Sequence, residues 1–154
     1  MKKVALTVGS LIFCVIVLLL LELGIRFLYP EINNQDTELS LFRDHVFGKS
    51  AGWEPNASGM SFGKQVLIDE YGFRKMSSPA NFEASWLILG DSVTFGVGVD
   101  TQDLFVEKLQ KNFPTVELWN TAVVGYSLMN YKDVLNHFLA TRQDIKKVVM
   151  FFTL

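Results

Sequence analysis

The hydrophobic pattern divides the chain into three segments. An uncharged, mostly apolar run extends from Val4 to Leu21, and apolar residues recur as far as Leu28. Residues 31 to about 80 are interrupted by Pro, Gly and Asn, and no helical period there lasts for more than a turn. From Asn81 onward, short apolar runs alternate with stretches of helical spacing. We therefore divide the chain into segments 1–29, 30–80 and 81–154.

The apolar run in segment 1–29 predicts a transmembrane helix that anchors the protein in membrane lipid. At ~1.5 Å per residue the run is about 27 Å long, close to the ~30 Å hydrocarbon core. A cleaved signal peptide is the alternative, but the run is longer than a usual signal core and no small-residue cleavage site follows. Lys2 and Lys3 precede the run and mostly acidic residues follow it, so we expect a cytoplasmic N-terminus and a periplasmic or extracellular domain.

Segment 30–80 predicts a loop- and hairpin-rich linker. Residues 65–69 have the composition of a strand, and Gly72 supplies a turn before Phe73 and Arg74. We expect a short hairpin or lid packed on the edge of the domain that follows. Arg74 is expected to be solvated or paired with an acidic residue, rather than to contact an anionic substrate.

Segment 81–154 predicts a parallel α/β fold. Apolar runs predict strands at Trp86–Leu89, Val116–Val123 and from Lys146 to the end of the chain. Between them, one helix is predicted from Asp100 or Thr101 to about Asn112, and a second over Ser127–Thr141. This alternation is typical of a three-layer, doubly wound parallel sheet, incomplete in this chain. The second helix should bury one face, formed by Leu128, Tyr131, Leu135, Phe138 and Leu139.

The first strand of this segment ends in a candidate nucleophile. Gly90, Asp91 and Ser92 follow directly, which places the Ser92 hydroxyl at the carboxyl end of a sheet strand, where open α/β sheets bind ligands. Gly96 and Gly98 allow a substrate to approach the backbone closely. The alternative for Gly-Asp-Ser alone is a tight turn with a solvated serine.

The second strand leads to a candidate oxyanion site. Asn120 comes near its end, and Gly125 stands just before the second helix, where a backbone N–H can face the crevice beside Ser92. An ordinary strand-to-helix glycine is the alternative.

Together these two segments resemble the first two motif blocks of the SGNH (GDSL-type) serine hydrolases, whose fold is flavodoxin-like. The resemblance covers residues 86 to 127. It implies that Ser92 is the nucleophile and an oxyanion N–H donor, that Gly125 supplies the second oxyanion N–H, and that Gly90, Asp91 and Asn120 support the motifs. It implies an esterase acting on acyl esters through an acyl-enzyme, without cofactor or metal. Ester groups on surface carbohydrate are a substrate suggested by analogy, and transfer of the acyl group would use the same residues.

The resemblance also requires residues that this sequence does not supply. An Asn is expected directly after the third strand, and an Asp-x-x-His motif near the carboxyl terminus should supply the base. His137 could meet Asp133 on one helical face, but it lies far down the helix from the crevice, and nothing connects His45 with Ser92. We therefore expect a truncated hydrolase that is inactive alone. The alternative is a non-catalytic remnant or interaction module.

Composition excludes several other functions. The 154 residues carry a formal net charge of -2, which is not the basic surface of a nucleic-acid-binding protein. The single cysteine, Cys14, excludes an intrachain disulfide and a cysteine-based zinc site, and we expect its thiol to face lipid. The glycines at 90 to 98 fit neither the P-loop nor the dinucleotide-binding pattern.

Overall fold

A long apolar helix and a mixed α/β unit make up the part of the chain described by this computed structural model, residues 2–30, 36–79 and 81–152. The chain divides into two compact units, Met1–Gln35 and Asp36–Leu154. Residues 31–35 and 80 of the predicted linker, and Thr153 and Leu154 at the end of the third predicted strand, lie outside the described residues.

The first unit contains helix α1 (Lys2–Leu28). Its 23-residue stretch Leu6–Leu28 has a mean hydropathy of 2.7, so it is long and apolar enough to cross a membrane. A signal sequence near an N-terminus would meet the same criteria. At the end of the helix, Arg26 pairs with Glu22 one turn earlier, with an N–O distance of 2.8 Å.

The second unit begins with two antiparallel hairpins where one had been predicted. Strands β1 (Phe42–Phe47) and β2 (Ser50–Trp53) form the first, and β3 (Ser58–Ser61) and β4 (Lys64–Leu67) form the second. Both turns contain a glycine with positive φ, Gly48 and Gly63. Leu41, Trp53, Val66 and Ile68 from this region are buried in one cluster with Phe95, Ala122 and Val123, so the hairpins share a hydrophobic core with the α/β segment.

A three-stranded parallel sheet follows, which confirms the predicted α/β class. Strands β5 (Ala84–Leu89), β6 (Val116–Asn120) and β7 (Ile145–Met150) are ordered β6-β5-β7. Strand β6 ends three residues before the predicted limit. The chain turns there because the Asn120 side chain bonds to backbone outside the sheet, accepting from the N–H of Ala122 at 3.3 Å.

The helices of this unit are α2 (Ser92–Phe95), α3 (Phe105–Gln110) and α4 (Leu128–Thr141). The single helix predicted from residue 100 or 101 to 112 is wrong. The segment instead contains a 3-10 turn at Thr101–Asp103 followed by α3. Leu104 lies between them and has an extended backbone, with ψ of 136°. Leu104 is buried, and its methyl group occupies the space where Gly96 lacks a side chain. Burying Leu104 against Gly96 therefore accounts for the break in the helix.

Helices α3 and α4 cover opposite faces of the sheet. Along β5, Leu87 and Leu89 belong to a core with α4, whereas Ile88 packs with Val106 of α3. This alternation follows from the two-residue repeat of a strand. The predicted buried face of α4 is partly wrong, because Leu128 and Leu139 are 65% and 57% exposed. The residues of α4 that are buried are Tyr131, Val134 and Phe138.

Candidate functional site

Ser92 is the first residue of α2, directly beyond the carboxyl end of the central strand β5. The Asp91 carboxylate caps the helix by accepting a hydrogen bond from the Val93 N–H at 3.0 Å. Gly90 is required because an added Cβ would lie 2.1 Å from Oγ1 of Thr94. The Ser92 side chain is partly exposed, and its N–H has no intrahelical acceptor because it begins the helix.

Gly125 lies in the turn between β6 and α4. Its φ is +81°, a backbone conformation that favours glycine, and an added Cβ would meet no atom within 4 Å. Within the described ranges its N–H donates to no other residue. The next residue, Tyr126, anchors this turn by donating its hydroxyl to the carbonyl of Ala51 in β2. Burial, with a smaller effect of Asp133, raises the pKa of Tyr126, so the phenol stays a donor.

Hydrogen bonds join the two turns at the carboxyl edge of the sheet. The Val123 N–H donates to the carbonyl of Gly90 at 3.3 Å. The buried Asn120 side chain donates to the carbonyl of Thr94 in α2 at 3.0 Å. The segment that leads to Gly125 is thus tied both to the residue before Asp91 and to the helix that begins with Ser92.

Arg74 holds the carboxyl end of α2 by donating hydrogen bonds to backbone carbonyls, a role that the sequence did not predict. Its guanidinium donates to the carbonyls of Phe95, Gly96 and Val99 at 2.7, 2.6 and 2.5 Å. The expectation of a solvated or ion-paired arginine is wrong, because Arg74 is 1% exposed and makes no ion pair with any described residue. Burial lowers the pKa of Arg74 to about 10, so it stays charged at neutral pH.

Trp53 of β2 is the second supporting residue that sequence reasoning missed. Its indole N–H donates to the carbonyl of Ala122, just after β6, at 2.8 Å. Its ring stacks on Phe95 at the end of α2, with centroids 4.3 Å apart. One buried side chain therefore contacts both site turns. No local pattern in the sequence could have indicated this, because its partners lie more than 40 residues away.

Neither histidine takes part in the site. His45 is exposed in β1, and His137 is exposed on α4, where its ring contacts Phe47 and Phe138. His137 lies nine residues beyond Leu128, or about 14 Å down the helix. Asp133 accepts a hydrogen bond from Ser50 at 2.9 Å. The described residues thus tie the Ser92 turn to the segment before Gly125, and they place the two histidines elsewhere, on β1 and α4.

A cavity of about 340 Å³ lies beside β6, and Arg74 and Asn120, which donate to carbonyls of α2, line part of it. Tyr71, Trp119 and Arg142 are among its lining residues, and the Arg142 guanidinium covers the Trp119 ring at 4.4 Å. Neither Ser92 nor Gly125 lines it. The cavity therefore does not contain the candidate nucleophile itself.

No protein-family model, curated protein or solved structure matches this chain.

Proposed function

We propose that the chain is the N-terminal part of a membrane-anchored serine hydrolase of the SGNH (GDSL) type that acts on acyl esters. The observation that carries this proposal is the pairing of the Ser92 turn with the Gly125 turn at the carboxyl edge of a parallel sheet. Ser92 lies in a Gly-Asp-Ser motif, and the bond from the Val123 N–H to the Gly90 carbonyl links its turn to the segment before Gly125.

In this mechanism the Ser92 Oγ attacks the carbonyl carbon of the ester while a general base accepts its proton. The oxyanion is held by the N–H groups of Ser92 and Gly125. The alcohol leaves with the proton from the base, and an acyl-enzyme remains. Water, activated by the same base, then attacks the acyl-enzyme and releases the carboxylic acid and Ser92.

The general base of this mechanism is proposed to lie in coding sequence downstream of Leu154. Family resemblance predicts an Asn soon after the third strand and an Asp-x-x-His motif further on. The first test is to read the coding DNA past Leu154 in all three frames. An Asp-x-x-His motif in a continuing frame supports the proposal, and its absence from every frame contradicts it.

The second test is covalent labelling of the protein expressed from that longer reading frame. A fluorophosphonate forms a bond to the Oγ of a serine activated as a nucleophile, so wild type should be labelled and Ser92→Ala, which lacks that oxygen, should not be. Ser58→Ala is the matched control, because Ser58 is an exposed serine of β3 with no proposed catalytic role. It should be labelled like wild type.

The competing proposal is a non-catalytic remnant or interaction module, which the lack of a histidine near Ser92 among the described residues favours. A folded, extended wild-type protein that remains unlabelled would support that alternative and contradict the hydrolase.

For the proposed hydrolase, the anchor in segment 1–29 further suggests that the domain acts outside the cytoplasm, on ester groups of surface carbohydrate.

A further inference from the structure

We infer that Arg74 is a positioning residue that sets the geometry of the Ser92 nucleophile by holding the carboxyl end of α2. This inference rests on the proposed function for its catalytic consequence, while its structural content stands on the contacts of Arg74. Arg74 is remote in sequence from Ser92 and comes from the chain just after the hairpins.

A four-residue helix cannot persist by its own hydrogen bonds, because forming the first turn is unfavourable. Helix α2 depends on contacts at its ends and side. Asp91 caps its beginning, the Asn120 amide holds the carbonyl of Thr94, and Arg74 holds the carbonyls of Phe95 and Gly96. Of these contacts, those of Arg74 carry a full positive charge, which is favourable at the carboxyl end of a helix.

The Arg74 contacts also fix the backbone beyond α2. The carbonyl of Val99 accepts the third hydrogen bond, so one planar group spans residues 95 to 99. The guanidinium lies over the Phe95 ring, with its central carbon 5.0 Å from the ring centroid. Gly96, with φ of +83°, turns the chain between these carbonyls, and both the Ser92 carbonyl and Arg74 bind this turn.

The β3–β4 hairpin also contacts the loop that follows α2. Lys64 pairs with Asp100 at 2.8 Å, and a Cβ added at Gly98 would lie 3.3 Å from the Cβ of Phe62. Phe62 has a φ of +48°, an uncommon conformation for a bulky residue. The loop after Ser92 is therefore held between the hairpin tip and Arg74.

A lysine cannot replace these contacts. Arginine presents several N–H donors in one rigid plane, whereas lysine carries its donors on a single nitrogen at the end of a flexible chain. Arg74→Lys thus keeps the charge but should leave at least one of the three carbonyls without its donor. We expect Ser92 to shift, and a displacement of about 1 Å in an active site can lower the rate by ~100-fold.

The experiment compares wild type, Arg74→Lys and Arg43→Lys in the protein extended past Leu154. Arg43 is the matched control because it is an exposed arginine, paired with Glu54 at 3.7 Å. The measurements are the rate of fluorophosphonate labelling, kcat and KM for a p-nitrophenyl ester, and circular dichroism to establish folding. We expect labelling and kcat to fall by roughly 10- to 100-fold in Arg74→Lys, with KM nearly unchanged and no change in Arg43→Lys.

Labelling of Arg74→Lys within twofold of wild type would overturn the inference. An Arg74→Lys protein that does not fold would also overturn it, because Arg74 would then support global stability rather than local position. Amide hydrogen exchange of the 154-residue chain separates this inference from the proposed function. If the amides of residues 92–99 exchange faster in Arg74→Lys than in wild type, and amides elsewhere do not, the inference is supported even if wild type is never labelled. Equal exchange of these amides in the two proteins contradicts the inference.

Discussion

At the scale of single residues, the candidate site depends on positions where a side chain has no room. Gly90 faces Thr94 of α2, and Gly96 faces Leu104. In both cases an added Cβ would clash, at 2.1 and 2.0 Å from the nearest side-chain atom, where real Cβ atoms essentially never come closer than 3.0 Å. These glycines let the backbone on both sides of Ser92 pack directly against buried side chains.

Gly90→Ala should therefore destabilise the protein and displace Ser92. The new methyl group must push Thr94, and with it α2, away from β5, and overpacking of this kind costs about 1–3 kcal/mol. Chemical denaturation monitored by tryptophan fluorescence measures the loss in the free energy of unfolding. Gly24→Ala is the control, because an added Cβ there meets no atom within 4 Å. Equal stability of Gly90→Ala and wild type would show that Thr94 moves aside without cost.

At the scale of elements, the unit consists of short pieces whose ends are fixed by side chains from elsewhere in the sequence. The side chain of the buried Gln110 of α3 makes hydrogen bonds to the backbone of β6, as a neighbouring strand would. It accepts from the Leu118 N–H at 2.8 Å and donates to the carbonyl of Val116 at 2.7 Å. Such a side chain satisfies buried backbone groups at a sheet edge that would otherwise lack partners.

This use of distant side chains explains which features could be predicted from the sequence. The apolar run Trp86–Leu89 was recognised because a strand buried on both faces is apolar throughout. The Gly-Asp-Ser turn was recognised because its residues are adjacent. Arg74 was not, because nothing in its local sequence identifies three carbonyls that lie 21 to 25 residues away. The break at Leu104 was missed for the same reason, since tertiary packing against Gly96 overrides helical spacing.

The connection from α4 to β7 should make stability depend on pH. Asp144 accepts from Arg142 at 2.9 and 3.1 Å and from Ser85 at 3.1 Å. The Arg142 hydrogen bonds lower the pKa of Asp144 from 3.8 to about 2. Because the folded-state pKa is depressed, the ionised form stabilises the fold above pH 3.8, and this contribution is lost as pH falls towards 2.

Asp144→Asn should thus flatten the decline in unfolding free energy between about pH 4 and pH 2. Burial raises the pKa of Asp69, so its contribution to stability changes with pH in the opposite direction. Asp69 is present in both Asp144→Asn and wild type, so its contribution cancels when the two pH profiles are compared. Asp103→Asn, which removes an exposed acid paired with Lys108, controls for the loss of one charge. Parallel pH profiles for Asp144→Asn and wild type, measured by urea denaturation, would contradict this account.

At the scale of the whole molecule, the chain combines a membrane-length helix with a unit that carries the candidate site. The 23-residue stretch Leu6–Leu28 of α1 is about 35 Å long, enough to cross a ~30 Å hydrocarbon core. Lys2 and Lys3 precede the span in the sequence, whereas Arg26 near its other end is paired with Glu22. By the positive-inside rule, this asymmetry favours a cytoplasmic N-terminus.

A single engineered cysteine tests this orientation, because Cys14 is the only cysteine in the chain. In a Cys14→Ser background, Lys49→Cys places a thiol on an exposed turn of the second unit, and Lys3→Cys places one before the span. A membrane-impermeant maleimide should label the former in intact cells and the latter only after lysis, and carbonate washing should leave both proteins in the membrane. The reverse labelling would contradict the orientation. A shorter, carbonate-extractable product would instead indicate a cleaved signal.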